Sequence, residues 1–274
     1  LYNANGTLLQ QLTSGEWDVT DFYGYDETTK TVYYQSAASS PLCRQIEKCD
    51  AKGKRTVLSG TEGFNKAVFS SDFNYYIETF SNTTTPDRVS VKTETGKLCR
   101  TITTNSDLAT KYAQLQVPQK EFFQFTTSEG ITLNGWVVKP ANFDASRRYP
   151  LLLMQYSGPS SQEVLDKWHV GWESYLAQNG IVVGCVDGRG TDARGTLFRT
   201  ATYGNLGELE AKDQTEAARY FAKQDYIDSS RIGIWGWSYG GFTTLYAMTN
   251  KSGMFKVGIA VAPVTDWMLY NTAY

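Results

Sequence analysis

Histidine is almost absent from this chain, with one residue, His169, in 274. Cysteine is scarce too, and Cys43, Cys49, Cys99 and Cys185 follow no zinc-type spacing, so a Cys/His metal site lacks ligands and neither metal nor other cofactor is expected. No apolar run approaches the roughly 20 residues of a membrane-spanning helix. The opening Leu1-Tyr2-Asn3-Ala4-Asn5 has neither the basic start nor the cleavage pattern of a targeting segment. Charge of one sign is not in excess either: 26 Lys and Arg against 28 Asp and Glu leave −2, too balanced for a broad nucleic-acid footprint. Methionine is missing from position 1, which reads as a chain beginning mid-protein.

What remains is an ordinary soluble composition, 41% hydrophobic and 20% charged, in a chain long enough for one large domain or two of usual size. Cys43 and Cys49 stand close enough to bridge a hairpin in an oxidising compartment, with buried free thiols as the alternative. Asn5-Gly-Thr and Asn82-Thr-Thr fit the glycosylation sequon, a pattern informative only in a secretory context.

The grammar changes near Pro118. Before it come short runs rich in β-branched and aromatic residues, such as Thr31-Val-Tyr-Tyr-Gln, Asn74-Tyr-Tyr-Ile-Glu and Arg88-Val-Ser-Val-Lys, broken by Gly, Asn, Asp and Ser. The segment Gly6-Thr-Leu-Leu returns as Gly53-Lys-Arg-Thr-Val-Leu and as Gly96-Lys-Leu-Cys-Arg-Thr, and Tyr33-Tyr34 is echoed by Tyr75-Tyr76. Repeats of roughly 40 to 50 residues made of short strands suggest β-propeller blades, with a plain β-sandwich as the alternative. Residues 1–117 are therefore expected to form the C-terminal blades of a partial propeller, the others lying upstream of Leu1.

Residues 118–274 read as the first part of an α/β-hydrolase domain. A short antiparallel start covers Phe122 to Lys139, and then strands and helices alternate. Tyr149 to Tyr156, Ile181 to Val186, Arg231 to Trp237 and Lys256 to Ala262 read as buried strands. Trp168 to Asn179, Leu206 to Lys223 and Tyr239 to Thr249 read as helices. This alternation means a parallel sheet covered on both faces.

Gly236-Trp237-Ser238-Tyr239-Gly240 fits Gly-x-Ser-x-Gly, with an expected strand before it and an expected helix after it. That context raises a serine hydroxyl on a sharp turn above the sheet. The flanking glycines let the backbone turn without side-chain clashes, and the N–H of Tyr239 becomes an oxyanion donor. A serine that merely caps the helix is the bland alternative. Ser238 also needs a base, normally a histidine oriented by a carboxylate, and in this arrangement both follow the serine in sequence. His169 precedes Ser238 and reads as structural or exposed; no histidine follows. The acid and the base are expected beyond Tyr274, and the chain by itself is expected to be inactive.

With these residues in place, the chain resembles the dipeptidyl peptidase IV family, in the prolyl oligopeptidase group of serine peptidases, and its bacterial members in particular. The resemblance rests on Arg231-Ile-Gly-Ile-Trp followed by Gly236-Trp-Ser-Tyr-Gly-Gly-Phe242, on Tyr149-Pro-Leu-Leu-Leu with Gln155-Tyr-Ser-Gly-Pro-Ser-Ser-Gln162, on Val186-Asp-Gly-Arg-Gly190, and on Phe255 to Val264. It is continuous from about Gln119 onward and fainter before. It implies an eight-bladed propeller with an α/β-hydrolase domain, removing dipeptides from free N termini after proline or alanine.

By the same resemblance Ser238 is the nucleophile and Tyr156 the second oxyanion donor, through its hydroxyl. Tyr239, Val264, Trp267, Tyr270 and Tyr274 line the pocket for the proline side, where flat aromatics suit a pyrrolidine ring. The family's paired glutamates for the substrate amine have no counterpart here, and Glu208 and Glu210, on a hydrolase-domain helix, are not candidates. The partners implied are peptides with a free N terminus and Pro or Ala second, no nucleic acid, and a second copy in a homodimer of the full-length form. A periplasmic or extracellular location is a family expectation. The alternatives are another peptidase of the group, acylaminoacyl peptidase or oligopeptidase, and a non-catalytic homologue that uses its propeller for binding.

Overall fold

The computed structural model describes residues 1–250 and 253–271. They divide into two compact units. The first comprises 1–114 with the short stretches 165–169 and 193–196; the second comprises the remainder. Those two excursions are invisible to a single cut in the sequence.

The first unit contains two four-stranded antiparallel meanders, the form of propeller blades. One runs β1 (Val19–Asp26), β2 (Thr31–Ser36), β3 (Gln45–Cys49), β4 (Arg55–Val57); the other runs β5 (Phe64–Phe69), β6 (Tyr75–Asn82), β7 (Thr85–Thr93), β8 (Leu98–Thr103). The repeated glycines mark the turns into the fourth strands. Gly53 has φ +81° and bonds back to Asp50 O at 2.9 Å; Gly96 has φ +85° and bonds to Thr93 O at 2.8 Å. Gly6, at φ +81°, makes the same turn between the bridged residues Tyr2 and Leu8. A side chain at these positions would be strained, so the turn fixes glycine into the repeat.

The tyrosine echo falls on the second strand of each sheet. Tyr33 and Tyr76 are buried at 3% and 1% exposure in one cluster with Ile46, Leu58 and Ala67, and Phe69 packs 4.8 Å from Tyr33 and 4.9 Å from Tyr76. Their neighbours diverge: Tyr34 is buried against Glu47, whereas Tyr75 is 52% exposed. After β8 comes α1 (Ser106–Gln114), a helix that buries none of its residues and that the strand-rich reading of this half did not anticipate.

All four cysteines are free. Cys43 and Cys49 do not flank a hairpin. The strand β3 occupies the interval between them, and six residues of extended chain span about 20 Å, several times the Cα separation a disulfide tolerates.

The second unit is built on a six-stranded mixed sheet. Its elements are β9 (Lys120–Thr126), β10 (Thr132–Val138), β11 (Tyr149–Met154), α2 (Trp172–Gln178), β12 (Val182–Asp187), α3 (Thr196–Arg199), α4 (Glu208–Ala222), β13 (Ile227–Trp237), α5 (Tyr239–Thr249) and β14 (Val257–Val261). The strand order is β14-β13-β11-β12-β10-β9. The pairs β11–β12, β11–β13 and β13–β14 are parallel; β10 joins β12 and β9 antiparallel. Leu133, Leu151, Leu153, Ile232, Ile234 and Phe221 anchor the core.

Three expectations change. The helix expected from Trp168 begins at Trp172, after the extended Gly171; His169 lies outside it and is exposed. The strand β11 buries alternate residues, with Leu152 and Met154 only half-buried. β14 leaves Val257 56% and Ile259 43% exposed, and among the described residues it is the outermost strand of the sheet, paired with β13.

Between β3 and β4 the carboxylate of Glu47, fully buried, accepts bonds from Arg55 Nε at 2.8 Å and Nη2 at 2.7 Å, from Tyr34 Oη at 3.1 Å, and from Ser36 and Gln45. Burial pushes its pKa up, but the bonds from Arg55, Ser36 and Gln45 outweigh burial and hold it below the usual glutamate range. The native state thus binds this proton more weakly than the unfolded chain. Its stabilisation is complete above the ordinary glutamate pKa and is lost as pH falls through the depressed folded value. Urea titrations across that acid range should show a stability loss that Glu47→Gln abolishes. At neutral pH, Arg55→Ala should cost about 1.5–3 kcal/mol.

Candidate active site

Ser238 is the single residue between the end of β13 and the start of α5, with φ +56° and ψ −114°. Such a backbone costs a non-glycine residue about 1–3 kcal/mol and persists only where its surroundings over-determine it. Here Ser238 N donates to Val261 O on β14 at 2.9 Å, and Ser238 O accepts from Phe242 N at 3.0 Å, opening the α5 ladder. The side chain is half-buried.

The flanking glycines spare the bend side-chain clashes, as expected from the sequence. None of Gly236, Gly240 and Gly241 has a positive φ; the unusual backbone sits on the serine itself. What the glycines supply is room. A Cβ on Gly236 would lie 2.2 Å from Gly240 O, one on Gly240 would lie 2.5 Å from Gln155 O, and one on Gly241 would lie 2.9 Å from Val261 O. The bend is pressed directly onto the ends of β11 and β14.

Gln155 secures that contact. At 3% exposure, it donates from Nε2 to Gly240 O at 2.7 Å and to Thr244 Oγ1 at 3.1 Å, while its backbone N–H reaches Trp235 O at 3.1 Å. In the sequence Gln155 is marked only as a polar residue at the end of an apolar strand run. Its neighbour Tyr156 is half-buried, with its ring 6.2 Å from that of Tyr239. A Cβ on Gly158 would lie 2.5 Å from Tyr156 Cε1, so the tyrosine lies over the turn that follows it.

As the first residue of α5, Tyr239 has an N–H outside the helix's own i to i−4 ladder. Its side chain is not an open pocket wall: it is 1% exposed, and its hydroxyl donates to Glu210 Oε1 at 2.6 Å. Burial raises the pKa of Glu210, and the bond from Tyr239 opposes that rise. Trp267, in a 3-10 turn (Trp267–Leu269), packs 5.6 Å from Tyr239 and 5.1 Å from Phe242. Tyr270, 42% exposed, follows at 5.7 Å from Trp267. The expected pocket residues Tyr239, Trp267 and Tyr270 therefore form one run of ring contacts. Val264 is half-buried and outside that run, and Tyr274 lies outside the described residues. An open cleft of about 990 Å³ adjoins Trp267, bounded by Pro159, Arg199, Thr202, Tyr203 and Leu206 among others.

The Val186–Gly190 stretch frames the same end of the sheet. Asp187 accepts from Val164 N at 2.8 Å and Glu163 N at 3.1 Å. Arg189 grips the fully buried Asp213 through Nη2 at 2.6 Å and Nε at 3.0 Å. Gln214 Nε2 donates to Val186 O at 2.9 Å and to Ser157 Oγ, one residue past Tyr156, at 3.2 Å.

Propeller-type sheets followed by a parallel-centred sheet with a strand–serine–helix bend define a chain of the propeller and α/β-hydrolase class. Residues 168–274 match the prolyl oligopeptidase family, and residues 1–87 match the dipeptidyl peptidase IV N-terminal region. A probable dipeptidyl-aminopeptidase B of Chaetomium globosum is 39% identical over 271 residues, covering 96% of this chain and 29% of that protein. A probable dipeptidyl peptidase 4 of Emericella nidulans is 34% identical over 281 residues, covering 100% of this chain and 36% of that protein. The crystal structure of Porphyromonas gingivalis dipeptidyl peptidase 4 superposes with a TM-score of 0.94 at 48% identity, covering 100% of this chain and 39% of that one. A putative dipeptidyl aminopeptidase IV from Bacteroides ovatus gives a TM-score of 0.86 at 30% identity, with 97% and 38% covered. The chain belongs to the dipeptidyl peptidase IV family of the prolyl oligopeptidase group. It spans between about three and four tenths of the length of these relatives.

The packing at the bend sets a clear expectation for Gly236→Ala. Its methyl meets backbone on one side and Gln155 on the other, so the substitution should lower stability by about 1–3 kcal/mol. Thermal unfolding of the variant beside the unaltered protein measures that loss.

Proposed function

We propose that the whole protein is a serine exopeptidase that releases Xaa-Pro or Xaa-Ala dipeptides from free N termini through an acyl-enzyme on Ser238. The observation that carries this reading is the backbone of Ser238, held at φ +56° between β13 and α5. Bending the chain there lifts a hydroxyl off the carboxyl end of a parallel strand, where ligands of open sheets gather.

In the proposed reaction Ser238 Oγ attacks the carbonyl carbon of the second substrate residue and gives its proton to a base. The negative charge that develops on the carbonyl oxygen is met by the N–H of Tyr239 and the hydroxyl of Tyr156. Collapse breaks the C–N bond, and the leaving amine departs with the proton. Water then hydrolyses the ester, releasing the dipeptide acid and restoring the serine hydroxyl. The base and its carboxylate partner are assigned to the remainder of the whole protein, since in this arrangement both follow the serine in sequence and His169 precedes it. The chain 1–274 alone is accordingly proposed to be inactive. Trp267 and Tyr270, with Val264 and Tyr274, are proposed to receive the proline ring. The names of the relatives, dipeptidyl-aminopeptidase B and dipeptidyl peptidase 4, support release of dipeptides over longer or blocked products.

A fluorophosphonate probe should label the full-length protein and leave Ser238→Ala unlabelled; a folded protein that does not label is not a serine hydrolase. Tyr156→Phe should lower kcat by roughly 10²–10³-fold, the effect of deleting one oxyanion donor, with little change in KM. Chromogenic Gly-Pro substrates should turn over while N-acylated Gly-Pro does not, and equal rates on the two would exclude the dipeptidyl assignment.

A further inference from the structure

Beyond the expected catalytic groups, one buried acid touches the residue after the nucleophile. Glu210 is fully buried near the start of α4. Oε1 accepts the Tyr239 hydroxyl at 2.6 Å, and Oε2 accepts Gly207 N–H at 2.9 Å. The second bond is ordinary helix capping, a residue reaching back three positions to the N-cap amide. The first is not, because it joins α4 to the first residue of α5.

The geometry points to Glu210 as a positioning residue of the oxyanion site, one that fixes the Tyr239 side chain and through it the direction of the adjoining N–H. This rests on the reading of Ser238 as nucleophile and deepens it. Three observations carry the argument. Tyr239 is 1% exposed, so its ring is enclosed by protein rather than standing free in solvent. The ring is bounded by Phe242 at 5.4 Å and Trp267 at 5.6 Å, and the hydroxyl is its one polar tether. Gly207, the other partner of Glu210, has φ +94°, and a Cβ there would lie 2.7 Å from the Phe242 ring and 2.8 Å from that of Tyr246. The start of α4 and the first turns of α5 are therefore pressed together twice, once through Gly207 and once through the carboxylate. Capping α4 alone would need only the bond from Gly207 N–H to the carboxylate. Burying a carboxylate is costly to maintain, and the contact with Tyr239 gives it a consequence at the site.

The contact also bears on selectivity. The ring that Glu210 holds is the one against which Trp267 packs, so loosening it should disturb the proline side of the site together with the oxyanion donor.

The test uses the full-length protein, with active sites counted by fluorophosphonate so that loss of folded enzyme is separated from slower chemistry. Glu210→Gln keeps the shape and an acceptor; Tyr239→Phe removes the tether and keeps the ring. Each should slow both probe labelling and kcat on a Gly-Pro substrate by about tenfold or more, less than deletion of a donor. The double variant should be no slower than either alone, as for two residues acting through one contact. Normal kcat per active site in Glu210→Gln, even with a lowered Tm, would overturn the inference and leave Glu210 a stabilising cap. Multiplicative losses in the double variant would overturn it also. Failure of the unaltered protein to label would remove the Ser238 reading and this inference with it, an outcome distinct from labelling at an unchanged rate in the variants.

Discussion

The second unit is organised around an approach of main chain to main chain that leaves no space for a β-carbon. The end of β11 lies against the first turn of α5, and the last residues of β13 lie against the same turn. Separations of 2.2 to 2.5 Å from the positions that Cβ atoms would take on Gly236 and Gly240 make the contact incompatible with any other residue there. Once the contact is made, the residue between strand and helix has no helical or extended conformation available. The φ of Ser238 is thus a consequence of packing around it, and the strain is carried by the parallel ladder between β13 and β14 and by the bond from Ser238 N to Val261 O.

Much of this was legible because it depends on periodicity and on small residues. The apolar runs that became β12 and β13, and the helix Tyr239–Thr249, follow from hydrophobic pattern flanked by glycine. The repeat in the first unit was legible for the same kind of reason. A turn that demands a positive φ writes glycine into each copy, so Gly6, Gly53 and Gly96 mark equivalent corners. Position along the chain, by contrast, does not encode neighbours in space. Nothing in the sequence distinguishes Tyr33, buried at 3% exposure, from its echo Tyr75, which faces outward. Cys43 and Cys49 looked close because their separation is small, yet an intervening strand keeps them apart. His169 looked helical because the apolar pattern around it continues into α2, whereas residues 165–169 belong with the first unit.

The candidate site shows the same division. The serine and its bend were readable from five residues in context. The supports of the bend were not, because Gln155 and Glu210 reach it from other elements, and a single sequence carries no trace of a contact between α4 and α5. The burial of Tyr239 was likewise hidden: a tyrosine after a nucleophile reads equally well as an open wall or as a packed one, and only the partner of its hydroxyl decides between them.

The helix α4 shows why such supports elude a reading based on hydrophobicity. Apolar residues of the helix do bury: Ala217 is 0% and Phe221 1% exposed. In its first half, however, the fully buried side chains include Glu210, Asp213 and Gln214. An acid or an amide can occupy such a place only with its hydrogen bonds met. Those bonds run to Tyr239 beside Ser238, to Arg189 in the Val186–Gly190 stretch, and to Ser157 beside Tyr156. The polar residues along this half of α4 therefore trace the three chain segments that meet at the carboxyl end of the sheet. An apolar helix could cover the same area, but contacts among hydrocarbons are not directional and would leave those segments free to slide. Directional bonds from one rigid helix hold each of them at a fixed height above the sheet, which is what the proposed site, acting through main-chain N–H groups and a single hydroxyl, would require.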